Sequence, residues 1–324
     1  MIRGEAQAPI SQLLLHPADK VVIAYLAIVA ALIVAFSFRI PVWPQLIAAH
    51  ALVITAVLLL AKWDQAASRP VALSPRRRVA ASRPRVAALS RFIHGWYPVA
   101  LITATFKELT YLIPLFHPRD FDAELAAIDY RLFGAHPTVW FERITWPAIT
   151  EVLQIVYATY YFLPIILGAV LWRKRWFERY KFWLFIVVLG FYVSYFGYIL
   201  VPATGPRYLS TIKGAQTFPL SGVWVFHSLR ETLDRAEGIT RDCFPSGHTE
   251  LTLLVLYYAR RFHRRTFWLL LPVGSALIFS TVYLRYHYVI DVIAGVAAAV
   301  FVILIAKPLY RALGGSVARL VAGD

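Results

Sequence analysis

An all-α polytopic membrane bundle is the architecture to expect from this chain, for three reasons. The sequence is 59% hydrophobic and 16% charged over 324 residues, with a mean hydropathy of +0.61, more apolar content than a soluble domain of that length carries. Its apolar residues gather into runs long enough to cross a hydrocarbon layer of about 30 Å. Every second break between runs is rich in Lys and Arg, the pattern of loops that alternate between cytoplasm and exterior. The 33 Lys and Arg against 18 Asp and Glu give +15. We assign that excess to cytoplasmic loops rather than to nucleic-acid binding. The single cysteine, Cys243, excludes an internal disulfide and a thiolate-based zinc site.

Taken in order, Val21–Phe38 and Gln45–Ala61 read as two spans joined by a short turn at Arg39–Pro44. A second span follows the first at once, so the first is read as a membrane helix and not a secretory signal. Lys62 to Arg91 is a basic connector, broken by Pro70, Pro75 and Pro84. Residues 1–91 are therefore expected to form an N-terminal hairpin with a basic loop, and 92–324 the functional domain.

Phe92–Phe116 is the third span, with Lys107 and Glu108 inside it. Charges at that depth are costly and face a polar cavity by default, so Lys107 is carried forward as a substrate-binding candidate. Phe121, Leu125, Ile128 and Leu132 recur at helical spacing among Asp122, Glu124, Asp129 and Arg131, which predicts an amphipathic helix in the interface. Val152–Trp172 and Phe182–Val201 are the next spans. A long loop, Pro202–Phe244, holds Arg207 and a short helix near Trp224–Ala236. Further spans begin at Pro245 and cover Phe267–Tyr283 and Tyr288–Ala306, about eight in all. With Lys62–Arg91 in the cytoplasm, Arg173–Lys181, Arg260–Arg265 and both termini also fall there. Arg207, His248, Arg285, His287 and Asp291 all fall on the opposite, extracytoplasmic face.

Two of these stretches carry chemistry. In Cys243-Phe244-Pro245-Ser246-Gly247-His248-Thr249, Ser246 stands where an N-cap belongs. The free N–H groups after it, with the helix dipole, make an anion site beside His248. In Tyr283–Asp291, His287 and Asp291 are spaced i, i+4, so a helix would stack them on one face, the carboxylate holding the imidazole in one tautomer. Two histidines, a carboxylate and an anion cradle suggest phosphoryl transfer. The remaining histidines carry less: His94, His117, His136 and His227 are assigned to the interface, and His263 lies on the wrong side. Glu250 is assigned to the bundle interior, pointing away from His248.

Pro245-Ser246-Gly247-His248 and His287-x-x-x-Asp291 resemble the second and third motifs of the type 2 phosphatidic acid phosphatase superfamily. At average residue usage, the four-residue match should arise by chance in about one chain in several hundred. The longer matches Cys-Phe-Pro-Ser-Gly-His-Thr and His-Tyr-x-x-Asp-Val resemble the branch containing inositol phosphorylceramide and sphingomyelin synthases, over roughly residues 95–306 and with a core of about six spans. Asp129, Phe133-Gly134 and Pro137 resemble the start of that branch's domain. Two departures stand out: Leu200 occupies the position of a first-motif lysine, and Thr281 that of a third-motif arginine.

The resemblance implies that His287, held by Asp291, attacks phosphorus to give a phosphohistidine, and that His248 protonates the departing oxygen. Arg207, Ser246, Gly247 and Arg285 would bind the phosphoryl oxygens. No metal and no cofactor is implied. The substrate would be a phospholipid or lipid phosphate reached from the bilayer of the cell membrane, and the acceptor water or an alcohol. A plain lipid phosphate phosphatase of the phosphatidic acid or polyprenyl phosphate type is the alternative reading. A lipid transporter or scramblase would also want polar groups in a bundle, but gives no reason for two histidines on one face. A haloperoxidase, related in fold, would be soluble.

Overall fold

The computed structural model describes residues 15–68, 84–238 and 240–317. Its regular elements, among the described residues, are all helical. Most of the arginines expected in the basic connector, Arg69, Arg76, Arg77, Arg78 and Arg83, lie outside the described residues. The chain divides into two compact units, Met1–Leu101 and Ile102–Asp324, with the break inside a single long helix.

The first unit holds α1 (Pro17–Ala35), α2 (Trp43–Ser68) and the start of α3 (Pro84–Phe116). Val22, Tyr25, Leu26, Val29 and Ile33 make one buried stripe on α1, at the spacing that a helix needs to present a single face. His50 of α2 meets the Leu26 carbonyl at 3.1 Å, which gives a polar side chain a partner at membrane depth.

The second unit carries the end of α3, then α4 (Asp122–Phe133), α5 (Pro137–Trp140), α6 (Pro147–Ala158) and α7 (Phe162–Arg173). There follow α8 (Phe177–Leu200), α9 (Ser210–Ala215), α10 (Phe226–Glu237), α11 (Gly247–Phe262), α12 (Arg264–Tyr283) and α13 (Val289–Ala312). α8 is the enclosed centre: Phe182, Phe185, Ile186 and Val188 are buried on it, Phe182 meets Tyr258 of α11, and Gly190 lets Leu251 and Leu254 of α11 approach. The helices approach closely where a side chain is missing. A Cβ at Gly197 of α8 would run into the ring of Pro245, and one at Gly295 of α13 would lie 2.5 Å from the Ser246 carbonyl oxygen.

Among the described residues, seven helical segments are long and apolar enough to cross a membrane. The remaining expected span, the one beginning at Pro245, is α11 with 16 residues. At about 1.5 Å per residue it is short for the hydrocarbon layer and would cross it where the bilayer thins. It packs against α7, α8, α12 and α13, and its first turn is buried inside the bundle. The expected fourth span is broken, since α6 and α7 are joined by a 3-10 turn at Thr159–Tyr161. Pro164 explains this, because its ring nitrogen has no hydrogen to offer the Tyr160 carbonyl four residues earlier.

α4 is amphipathic as expected, with apolar side chains on its exposed face and two aspartates on its buried one. Ile128, Leu132 and Phe133 are exposed, while Asp122, Leu125, Ala126 and Asp129 are buried. Asp122 accepts from Thr204 N–H (2.8 Å), Gly205 N–H (2.8 Å) and Tyr288 Oη (2.9 Å). Asp129 accepts from the N–H groups of Val289 and Ile290, both at 2.8 Å, and so caps α13 from another helix. Replacing Asp129 by Ala strands two buried donors at a cost of about 1–3 kcal/mol. Asp129→Ala should lower the melting temperature in detergent clearly, and Asp129→Asn less, since its amide oxygen can still accept. Equal melting of Asp129→Ala and the parent chain would contradict this role.

Candidate active site

The site is built where α11 and α13 begin. Ser246 is the N-cap of α11: its Oγ accepts from Thr249 N–H (3.3 Å) and Thr249 Oγ1 (3.1 Å). Its own N–H donates to the Asp291 carbonyl at 3.0 Å, fastening the start of α11 to α13. Gly247 and His248, as the first helical residues, have N–H groups without an acceptor inside the helix. A Cβ on Gly247 would collide with Tyr198 Oη. Only glycine therefore lets the chain pass here.

The His248 ring stands between two tyrosines, 4.5 Å from Tyr157 and 4.1 Å from Tyr160 between centroids. The break at Thr159–Tyr161 brings both rings onto one imidazole. His248 faces His287 with ring centroids 5.6 Å apart at 61°. The expectation that His287 lies on the helix with Asp291 is corrected here. α13 starts only at Val289, and His287 sits in the turn before it, its N–H bonded to the Thr281 carbonyl at 3.0 Å. The two side chains meet because Asp291 folds back at the helix start. Its Oδ2 accepts from Tyr288 N–H at 2.8 Å and lies 3.4 Å from His287 Nδ1. That leaves the Nε2 edge of His287 for a reacting group.

Cys243 completes this cluster. Its thiol donates to Asp291 Oδ2 at 2.9 Å and sits 3.5 Å from His287 Nδ1. The donor atoms of Cys243, His287 and Asp291 lie within 4.8 Å of one another, close enough for a metal ion. Burial, with the charge of Asp291 next, pushes the thiol well above its ordinary range. A protonated thiol is a hydrogen-bond donor and a poor metal ligand, so we read the three as a hydrogen-bonded group that orients His287.

The candidate cations part company. Arg207 is half-buried, with Nη1 at 3.0 and 3.1 Å from the two oxygens of Asp234 on α10. Its guanidinium lies 4.6 Å from the Tyr286 ring, and Tyr286 stacks on Tyr157 at 4.2 Å. That ring column joins Arg207 to His248. Arg285 turns away, in a left-handed conformation at φ 66°. It is buried and bonded to Glu142 (2.7 Å), Gln216 (2.9 Å) and the Phe218 carbonyl (3.2 Å). Lys107 is exposed on α3, and Glu108 is the buried member of that pair. Leu200 is 64% exposed at the end of α8, and Thr281 is buried with its hydroxyl on the Ile278 carbonyl at 2.7 Å. Neither position places a polar group in the site.

Several site residues carry no motif. Arg230 of α10 lies 5.4 Å over the same Tyr286 ring. Its position within a long loop, on a helix whose existence but not docking is legible, hid it. Glu151 accepts from the N–H groups of Val223 (2.9 Å), Trp224 (3.0 Å) and Val225 (2.7 Å), so it holds the entry of α10. Tyr161 Oη donates to Glu237 at 2.8 Å at the other end of that helix. Glu250, placed in the interior as expected, is fully buried and accepts from Ser194 Oγ.

Two opposed histidines, one backed by a carboxylate, thus stand beside the first turn of a helix capped by a neutral serine, inside a bundle of apolar helices. The chain belongs to the PAP2 superfamily, whose pattern matches residues 123–305. It is similar to a PA-phosphatase related-family protein of Dictyostelium discoideum, with 24% identity over 173 residues, or 48% of this chain and 31% of that protein. The chain thus spans about a third of that relative's length. No solved structure matches it.

The carboxylates beside Arg207 give a pH signature. Burial, with the charge of Asp242 next, raises the Glu237 carboxyl above its ordinary value. Burial raises Asp242 as well, opposed by Arg207. The folded chain therefore holds more protons than the unfolded chain between the ordinary carboxylate range and neutrality, and stability falls as pH rises through that window. Glu237→Gln should flatten this fall. Melting curves in detergent between pH 4.5 and 7.5 test it, and parallel slopes for variant and parent would refute it.

Proposed function

We propose that the protein transfers a phosphoryl group from a lipid phosphate or phospholipid through a phosphohistidine on His287, with an alcohol as the preferred acceptor. The carrying observation is the opposed pair His248 and His287, 5.6 Å between rings, with Asp291 behind His287. His287 Nε2 would attack phosphorus, Asp291 stabilising the imidazolium that forms. His248 would donate a proton to the leaving oxygen and remove one from the acceptor in the second step. The first N–H groups of α11, at Gly247 and His248, would take phosphoryl oxygens with the positive end of the helix dipole. Ser246 would contribute by holding that turn, since its hydroxyl is already bonded to Thr249.

Arg207 is the cation we place on the phosphate, exchanging Asp234 for it, with Arg230 across the Tyr286 ring. Arg285 we assign to anchoring the loop through Glu142, and Lys107 to the outer surface. A cradle with Arg207 flanked by Asp234, Glu237 and Asp242 is less positive than a dianion needs. That favours a phosphodiester donor, whose phosphorylated headgroup would pass to a lipid alcohol as in the inositol phosphorylceramide synthases. The superfamily and the phosphatase-related relative favour water as acceptor, and hydrolysis is the second reading. The test follows a phosphorus-labelled lipid donor in mixed micelles with and without a second lipid alcohol. Label appearing in a new phospholipid only when that alcohol is present supports transfer, and release of label as water-soluble phosphate or phosphorylated headgroup at an unchanged rate with no new lipid leaves hydrolysis alone. His287→Ala should abolish both products and Asp291→Asn should leave a small residue of activity, whereas near-parental turnover of His287→Ala would remove the mechanism.

We further propose that this site faces the extracytoplasmic side, with both termini in the cytoplasm. Lys174 and Ser210 are exposed and lie beyond opposite ends of α8. In sealed vesicles, Lys174→Cys should react with an impermeant maleimide only from the cytoplasmic side, and Ser210→Cys only from the other. The reverse pattern would invert the topology.

A further inference from the structure

His94, assigned from sequence to the interface, is 4% exposed and lies within the first unit, outside the matched family region. Its Nε2 is 3.0 Å from Asp19 Oδ2 and its Nδ1 is 3.1 Å from Asp64 Oδ2. The two carboxylates come from the start of α1 and the end of α2, and His94 from α3. Asp19 is already well supplied with donors: Tyr97 Oη at 2.9 Å on Oδ1, and His16 N–H at 2.9 Å on Oδ2. It therefore serves to orient His94, taking the Nε2 proton. A neutral imidazole has one N–H, so Nδ1 then presents a lone pair to the Asp64 carboxylate. Two acceptors facing each other at 3.1 Å call for positive charge between them, either a second ring proton or a metal ion.

The His16 ring supplies a third donor, its centroid 5.0 Å from that of His94. Ligand atoms of His16, Asp64 and His94 all lie within 4.8 Å of one another. A zinc ion with bonds of about 2.0–2.1 Å holds its ligands about 3.4 Å apart, so small side-chain movements would close the set. The surroundings match what metal ligands need. Asp19 backs His94, and Ser90 Oγ, fully buried, donates to Asp64 Oδ1 at 3.1 Å.

The geometry points to a divalent-cation site formed by His16, Asp64 and His94, with Asp19 and Ser90 holding the ligands in place. Two imidazoles and one carboxylate suit zinc or another late first-row ion, with the fourth position left to water. The ion would tie the start of α1 to the end of α2 and to α3.

The full-length chain, purified in detergent and stripped with chelator, is titrated with Zn²⁺ by calorimetry and with Co²⁺ by visible absorption. We expect one ion per chain and the d–d bands of a four-coordinate cobalt. Asp64→Asn and His16→Gln should each remove that binding, and Asp19→Asn should weaken it about 10–100-fold. His287→Ala should keep it, which separates this site from the Cys243–His287–Asp291 group. Each variant is first checked for a monodisperse elution profile, and the two ligand variants serve as independent arms should one misfold. Absence of stoichiometric binding by the parent chain would overturn the proposal and leave His94 as an imidazolium paired with two aspartates. Binding that survives both ligand variants, or that is lost in His287→Ala, would overturn it equally.

Discussion

A single backbone hydrogen bond, Ser246 N–H to the Asp291 carbonyl at 3.0 Å, joins the starts of the two helices that carry the site. It forms because Gly295 leaves the Ser246 carbonyl room against α13. The positive ends of two helix dipoles are thereby brought together inside a bundle, an arrangement that asks for negative charge. α13 receives it from Asp129 and Asp291. α11 is capped by the neutral hydroxyl of Ser246 instead, which leaves its first turn available to an anion. The two caps thus differ in charge: carboxylates fill one helix start, and a neutral hydroxyl caps the other.

The remaining carboxylates of the second unit work as fasteners. Asp122 holds Thr204 and Gly205, Glu142 holds Thr217 as well as Arg285, and Glu151 holds the entry of α10. In a hydrocarbon-facing protein an unpaired backbone N–H has no water to turn to, so a buried carboxylate that accepts several of them keeps an irregular loop in place. The Pro202–Phe244 segment is tied down at three points in this way. Its helix α10 then brings Arg230, Asp234 and Glu237 beside Arg207 and Tyr286. Asp234 holds Arg207 there as an ion pair at 3.0 Å.

Much of this was legible from the residues alone, and the physical reason differs case by case. The spans were readable because a bilayer demands long apolar runs, and the N-cap at Ser246 because capping is a local property of four residues. The proximity of His248 to His287 was readable only through the motif resemblance. Arg285 shows the limit: adjacent in sequence to Tyr286 and two residues from His287, it points elsewhere because its backbone is left-handed. His287 and Asp291 meet as expected, but through a capping turn instead of a shared helix face. Tyr157 and Tyr160 were unreadable as site residues, since the turn at Thr159–Tyr161 that aims them depends on Pro164 within an otherwise uniform apolar run.

Composition and hydrophobic periodicity by themselves determined that the chain is a helical membrane bundle, where its helices run, and which short stretch begins with an anion-accepting turn. Those are properties of solvent and of local backbone geometry, and they act over a few residues at a time. Tertiary structure alone decided which cations reach the site, which carboxylates brace it, and that His94 is enclosed by Asp19 and Asp64. These contacts join residues from different helices, and their formation depends on how closely packed surfaces allow side chains to approach. No periodicity along the chain encodes that distance.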